Sequence, residues 1–268
     1  MDEACECGHS DCKQGTINRM KAFPAAFLAL SLAAAPAAMA DSFDAAQRRE
    51  IGEIVRAYLL DHPELLVEIS KELESRQQAE EDKARGEALA RNAKDIFRSE
   101  HDLVAGNPQG DVTMVEFFDY NCGWCKKGLP EVLSLIDEDK NLRLVMKEFP
   151  IFGGDSDYAA IAALASRKQG KYWQFHVALL GHEGKVTREV VDQVAAEQGL
   201  DIEKLKADMK DPEIGAILKR NHELATALSI NGTPAFIIDK DVVPGYLPKD
   251  GLMASVAKVR EAGGCSLC

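Results

Sequence analysis

The apolar run Val112 to Phe118, closed by Asp119-Tyr120-Asn121-Cys122-Gly123-Trp124-Cys125-Lys126-Lys127, constrains this chain more than any other stretch. Rich in β-branched and aromatic residues, the run reads as a buried strand. The residues after Cys125 lose that signature, so a helix is predicted to open near Cys122. A sulfur at a helix start meets unpaired N–H groups and the positive end of the dipole. Both favour the thiolate, and a free cysteine near ~8.5 drops to roughly 3.5–7.5 in such C-x-x-C settings. Cys125, one turn inside, is shielded and suited to resolving a mixed disulfide. Gly123 leaves room for a partner chain's backbone. Trp124 offers an apolar contact but no cation, which argues against a very low thiol pKa. Half of a zinc site and a structural disulfide are the other uses of the spacing. The strand before it and the helix after it favour a redox pair.

Hydrophobic residues make up 46% of the 268, enough for a sizeable core, and the net charge is -12. Basic patches with interleaved aromatics are lacking, so nucleic acid is not an expected partner. Only Met20 to Ala40 is apolar enough to meet a membrane. Its short core, Phe23 to Leu32, and its small-residue end, Ala38-Met39-Ala40, predict an export signal cleaved after Ala40. Export would place the chain in an oxidising compartment, the periplasm. Residues 1–19 are acidic where a cationic leader is expected, which fits a start at Met20. Cys5, Cys7, His9 and Cys12 nevertheless have spacing that a soft metal ion could use.

From residue 41 to about 100 the pattern is helical. Ile51, Ile54, Val55, Tyr58 and Leu59 share one face; Asp61-His62-Pro63 breaks the chain; Leu65, Leu66, Ile69 and Leu73 repeat at helical steps. From Lys71 to Asp95, 13 of 25 residues are charged with mixed sign, which suits a solvated helix or linker. Two short amphipathic helices cannot bury their stripes on each other alone. Residues 41–100 are therefore expected to drive self-association, with packing on the chain's own domain as the other outcome.

A second domain is expected over 101–262. Leu103 to Ala105 is a short strand, Val112 to Phe118 the central one, and Leu142 to Lys147 an alternating third. A helical insertion spans 155–229, with N-cap and proline signals at Thr187 and Asp211-Pro212. Ala235 to Ile238 and Val242-Val243 form a hairpin, and Pro248 to Glu261 a closing helix. Strand, helix, strand, insertion, hairpin, helix gives an α/β fold with a mixed sheet covered by helices.

Asn231-Gly232-Thr233-Pro234 precedes the hairpin. A proline opening a central strand lacks a ladder N–H; alone, the motif fits a cis or an ordinary trans bond. Beside the C-x-x-C, a cis bond would leave the Thr233 backbone free to pair with an extended client.

The Glu116-Phe117-Phe118 strand, Cys122-Gly123-Trp124-Cys125, the insertion and Gly232-Thr233-Pro234-Ala235 together resemble the DsbA-like branch of the thioredoxin superfamily, over about Leu103 to Ala262. Asp61-His62-Pro63-Glu64 and the charged stretch after it resemble the N-terminal region of ScsC-type (suppressor of copper sensitivity) proteins. The resemblance implies a thioredoxin-like fold and thiol–disulfide exchange with exported proteins. Cys122 would attack, Cys125 resolve, Thr233 and Pro234 form the substrate-binding loop, and Glu116 be a buried acid managing protons. A membrane redox partner would reset the site, and no organic cofactor is implied. Gly-Trp stands where strong oxidases of the family often have proline and histidine, which argues against a powerfully oxidising potential. Isomerase-type relatives gather several active sites through N-terminal segments whereas the family's oxidases are monomers, so the resemblance over 41–100 implies an oligomeric isomerase or reductase rather than a monomeric oxidase.

Gly263-Gly264-Cys265-Ser266-Leu267-Cys268 is a second C-x-x-C on what reads as a flexible tail (263–268). A tail disulfide, an exchange relay to Cys122–Cys125 and a copper(I) site at Cys265 and Cys268 are its three uses. A four-cysteine zinc site would need far longer spacing than zinc ribbons have. His62, His176, His182 and His222 carry no motif and read as structural. A copper carrier without turnover is the rival function from another class.

Overall fold

The computed structural model describes residues 43–268; the export signal and Cys5, Cys7, His9 and Cys12 lie outside the described residues. The chain divides into two compact units at Pro63–Glu64.

In the first unit, α1 (Ala45–Asp61) opens with a capping box. Asp44 accepts from the Ala46 and Gln47 amides, and the Gln47 side chain accepts from the Asp44 amide. None of its residues is buried, and Ile51, Ile54, Val55 and Tyr58 lie exposed.

The second unit begins with α2 (Glu64–Phe97), a single helix of 34 residues, about 51 Å long at 1.5 Å per residue. Its first turns expose Leu66, Ile69 and Leu73, whereas its last turns bury Ala88, Leu89, Ile96 and Phe97. The expectation that a linker runs on to residue 100 is therefore corrected, because the C-terminal part of α2 is core. Four apolar side chains spaced through a charged stretch were enough to fix it there.

The strands follow one another along the chain as expected and form a mixed sheet. β1 (Leu103–Gly106), β2 (Val112–Phe118), β3 (Leu142–Glu148), β4 (Ala235–Ile238) and β5 (Asp241–Pro244) line up as β1-β3-β2-β4-β5. β2 runs parallel to β3, and the other pairings are antiparallel. α3 (Gly123–Glu138), α4 (Gly154–Ser166), α5 (Tyr172–Leu180), α6 (Arg188–Glu197), α7 (Ile202–Asp208), α8 (Pro212–Ala227) and α9 (Lys249–Glu261) complete the fold.

Because side chains alternate along a strand, the sheet feeds two cores. Met114 and Phe118 of β2 with Leu142, Leu144 and Met146 of β3 join a large cluster with α3, α9 and the insertion. Val115, Phe117, Val145 and Ile237 point the other way, to α2 and the end of α8. Alternation in β3 suggests one watered face, yet all seven of its residues are buried. Arg143 and Lys147 do share a face, and the end of α2 lies over it. Arg143 donates to the Phe97 carbonyl. Lys147 donates to the Asp95 carbonyl and pairs with Asp102, and burial holds the Lys147 ammonium below its usual range.

The tail disulfide forms as one of the expected uses, whereas the expected flexibility of the tail is corrected. Cys265 and Cys268 are disulfide-bonded, Cys265 packs on the large core, and Leu267 and Cys268 pack on the second. Asp239, at the β4–β5 turn, accepts from the Ser266 and Leu267 amides at 2.8 Å each, and Arg98 donates to the Cys268 carbonyl at 2.7 Å. These bonds anchor the segment that glycine content had suggested was loose.

If the last turns of α2 are core, Phe97→Ala should lower the unfolding free energy by about 3–5 kcal/mol. Denaturant titration of the full chain measures it.

Candidate active site

β2 delivers the site. Residues 112, 114, 116 and 118 share the face that packs against α3, so Glu116 points into the layer between the sheet and the helix that follows Cys122. It is 2% exposed, and burial together with the nearby Cys122 pushes its carboxyl up to about 8. The loop after β2 is tied by Asp119. Its carboxylate accepts from the Asn121, Ile151 and Phe152 amides and from the Ser156 hydroxyl at 2.7–3.2 Å. Asn121 in turn bonds the backbone of Val186 in the insertion.

So held, Cys122 is the N-cap of α3, and its sulfur accepts from the Cys125 amide at 3.3 Å. The sulfur lies 3.1 Å from the Thr233 carbonyl oxygen, to which the thiol donates. Thr233–Pro234 is a cis peptide, the second of the two alternatives its sequence had left open being excluded. The topology brings the loops together because β4 pairs with β2, with Phe117 opposite Ala235.

The Cys122 thiol is lowered to about 6. The Cys125 thiol, bonding that sulfur, is the largest cause; burial opposes it; the Thr233 hydroxyl and the Cys125 and Trp124 amides add to it. Thr233 Oγ1 is buried without a hydrogen-bond partner, so its hydroxyl can turn to the sulfur once the proton leaves. Cys125 is wholly buried, and its thiol is driven far upward by burial, by its bond to Cys122 and by Glu116. The two sulfurs thus hold opposite protonation preferences one helical turn apart. Cys122 is itself only 3% exposed.

Trp124 is 56% exposed. Its ring lies 5.5 Å from that of Tyr246, and the Lys127 ammonium sits 4.8 Å and 4.9 Å from the two ring centres. The motif placed Trp124, but nothing local pointed to Tyr246, which arrives from the loop after β5. Tyr120 and His176 were also missed as partners. Behind the Cys122 loop the Tyr120 and Tyr172 hydroxyls donate to Glu148, and Tyr120 contacts His176 Nδ1 at 3.1 Å. Burial pushes Glu148 up to about 8 and His176 down to about 3, so both are neutral at pH 7. An Asp-x-Asn ahead of the first cysteine is the one signal that could have found the Asp119 loop.

The tail cysteines lie at the other end of β2, where Cys268 Sγ approaches the Thr113 carbonyl at 3.7 Å. β2 spans about 17 Å from Thr113 to Phe118, so one ion cannot bridge all four sulfurs and no relay to Cys122 runs within one molecule. One atom each from Asp239, Cys265 and Cys268 lies within 4.8 Å of the others. Reduced, they would offer a soft metal ion two thiolates and a carboxylate; oxidised, they offer no thiolate.

With this geometry in view, comparison with known proteins decides the family. Residues 113–256 match the DSBA-like thioredoxin domain. The chain belongs to the DsbA-like thioredoxin family. Its thioredoxin-like fold follows from that membership. Residues 47–80 match the copper resistance protein ScsC N-terminal domain. Among solved structures, a thioredoxin-like oxidoreductase from Silicibacter pomeroyi is 46% identical, covering 63% of this chain and 97% of that one, with a TM-score of 0.62. Proteus mirabilis ScsC in a transitional conformation is 26% identical over 81% of this chain and 98% of that one, with a TM-score of 0.60. A curated relative, a Na(+)/H(+) antiporter NhaA of Salinispora tropica, is 27% identical over 62% of this chain. The chain spans 26% of that antiporter's length, and no helix among the described residues is long and apolar enough to cross a membrane.

Two outcomes follow for the thiols and the acid. Alkylation of Cys122 by iodoacetamide should rise through a midpoint near pH 6 while Cys125 stays unmodified, and Cys125→Ala should move that midpoint upward. Folded Glu116 keeps its proton to about pH 8, whereas its ordinary value is 4.5. Between those values the folded state binds a proton that the unfolded state lacks, so its contribution to stability falls as pH rises. The unfolding free energy of the wild type relative to Glu116→Gln should therefore decline from pH 5 to pH 8.

Proposed function

We propose that this chain is a periplasmic disulfide isomerase or reductase of exported proteins, acting through Cys122 and Cys125. The observation that carries the reading is a thiol near 6, capping a helix 3.1 Å from the Thr233 carbonyl, with a shielded thiol and a proton-holding acid behind it.

The Cys122 thiolate attacks one sulfur of a client disulfide. The S–S bond breaks, the client's other sulfur leaves as a thiolate, and a mixed disulfide forms. The client then lies along the free edge at Thr233 as an added strand. If a client thiolate attacks the mixed disulfide, Cys122 leaves as thiolate and the client is isomerised without net electron transfer. If Cys125 attacks instead, it forms the Cys122–Cys125 disulfide and the client leaves with two electrons. The Cys125 proton must go somewhere as that happens, and Glu116, once ionised, is the buried base at hand. A dithiol reductant, in the family's manner a membrane partner, would restore the pair.

Direction follows from how strongly the reduced form is favoured. A thiol near 6 stabilises the thiolate at pH 7 by roughly 3 kcal/mol less than one near 3.5, the value of the strongest oxidases. At 30 mV per 1.4 kcal/mol this is on the order of 70 mV less oxidising. The exposed apolar residues of α1 and of the first turns of α2 support self-association as well. They coincide with the segment matching the ScsC N-terminal domain. An assembly presents several reduced sites to one client and hinders oxidation of each.

Assay on a scrambled disulfide protein tests the reading. Recovery of native pairing should vanish in Cys122→Ala, and Cys125→Ser should accumulate mixed disulfides with the client. Glu116→Gln should slow resolution by about 10²-fold, the low end for a general base, and erase a rate increase near pH 8. Ile54→Glu with Ile69→Glu should lower the molar mass from light scattering to that of one chain and reduce isomerisation more than reduction. A wild-type chain that is monomeric and only oxidises would overturn the isomerase assignment.

A further inference from the structure

Beside the Thr233 edge a cavity of about 150 Å³ opens between the end of α8, the end of β5 and α2. At about 30 Å³ per water it holds roughly five waters, or the end of a side chain. Asn231, Gly232, Thr233, Gly245 and Arg85 line it over an apolar floor that includes Ile230 and Val242. Two of its lining residues carry buried polar atoms without hydrogen-bond partners, Thr233 Oγ1 and Arg85 Nε. Buried donors left unmet are costly, and here two belong to the walls of one open space.

Both unmet groups can donate, and a guanidinium has no acceptor capacity at all. Arg85 pairs with Asp82 through Nη1 at 3.2 Å, which leaves Nε unused. In the adjoining cleft Asp82 and Asp241 stand with Arg85 and Lys240, and Lys258 pairs with Asp241 at 2.8 Å. Two cations thus face two carboxylates along that cleft, a locally even balance in a chain whose net charge is -12. The wall is shared with the exchange site, because Thr233 presents its carbonyl to Cys122 and belongs to the cavity as well.

We infer that this cavity takes the carboxylate of an aspartate or glutamate a few residues from the exchanging cysteine of a client, with Arg85 as a specificity-determining residue. The inference rests on the thiol-exchange reading above. A client laid along the Thr233 edge has alternate side chains pointing to either side of its backbone. One of them enters between Asn231 and Gly245, where Arg85 Nε meets its oxygen. Asp82 competes for the same guanidinium and sets how strongly the preference is expressed.

The test uses the full chain and disulfide-linked peptides that differ only by Glu or Gln at one position, scanned over four residues on each side of the cysteine. Second-order rates of exchange are compared within each pair. The wild type should favour Glu at one position by about tenfold, the size of one charge-assisted hydrogen bond, and the preference should shrink at high salt. Arg85→Gln should bring that ratio close to one, Arg85→Lys should keep part of it, and Asp82→Asn should enlarge it. A wild type that ignores Glu at every position would show that the cavity takes only water or a main-chain carbonyl, and would overturn the inference. So would a preference that survives Arg85→Gln. Failure of every peptide to exchange, Gln peptides included, would instead overturn the thiol-exchange reading on which the inference stands.

Discussion

Cys122 caps its own helix. The hydrogen bond from the Cys125 amide to the Cys122 sulfur replaces the oxygen that serine or aspartate supplies at an ordinary helix start. The sulfur is therefore a structural group and a chemical one at once: it ends the loop that Asp119 ties down, and it starts α3. Whatever stabilises negative charge on it also stabilises the helix. The carbonyl of Thr233 closes the other side. Any donor that bonds to the Thr233 carbonyl would compete with the Cys122 thiol for the same oxygen.

The layers around the sheet explain why this arrangement holds. β2 sends Glu116 and Phe118 toward α3, and Val115 and Phe117 toward α2. An acid with 2% exposure survives there because it keeps its proton, and it stays near the sulfurs because the same register that buries Met114 aims it inward. On the opposite face Lys147 and Asp102 form a buried pair under the end of α2. A buried pair of this kind contributes little net stability, yet removing one partner would leave a bare charge.

Much of this was legible in the residues. The strand leading to Cys122, the helix after it, the insertion and the hairpin follow from periodicity and caps, because each is decided locally. What escaped the reading was decided at a distance. Arg143 and Lys147 carry the signature of a watered face, and only the packing of Ile96 and Phe97 reveals that this face is closed. Gly263 and Gly264 suggest slack, and they do adopt left-handed conformations, but they turn the chain toward Asp239 rather than freeing it. Tyr246 meets Trp124 from well over a hundred positions away. Arg85 sits within a charged run where nothing marks one cation from its neighbours.

The two Cys-x-x-Cys pairs of this chain share a spacing and differ in what their amides serve. At Cys122 the amide of the fourth residue points at the sulfur. At Cys265 the intervening amides, those of Ser266 and Leu267, are spent on the Asp239 carboxylate, and that carboxylate adds its own negative charge beside the sulfurs. Those two amides are therefore not available to either sulfur. The same spacing thus gives a helix-capping sulfur at one end of β2 and, at the other, a disulfide whose loop is tied to the carboxylate at the turn between two strands.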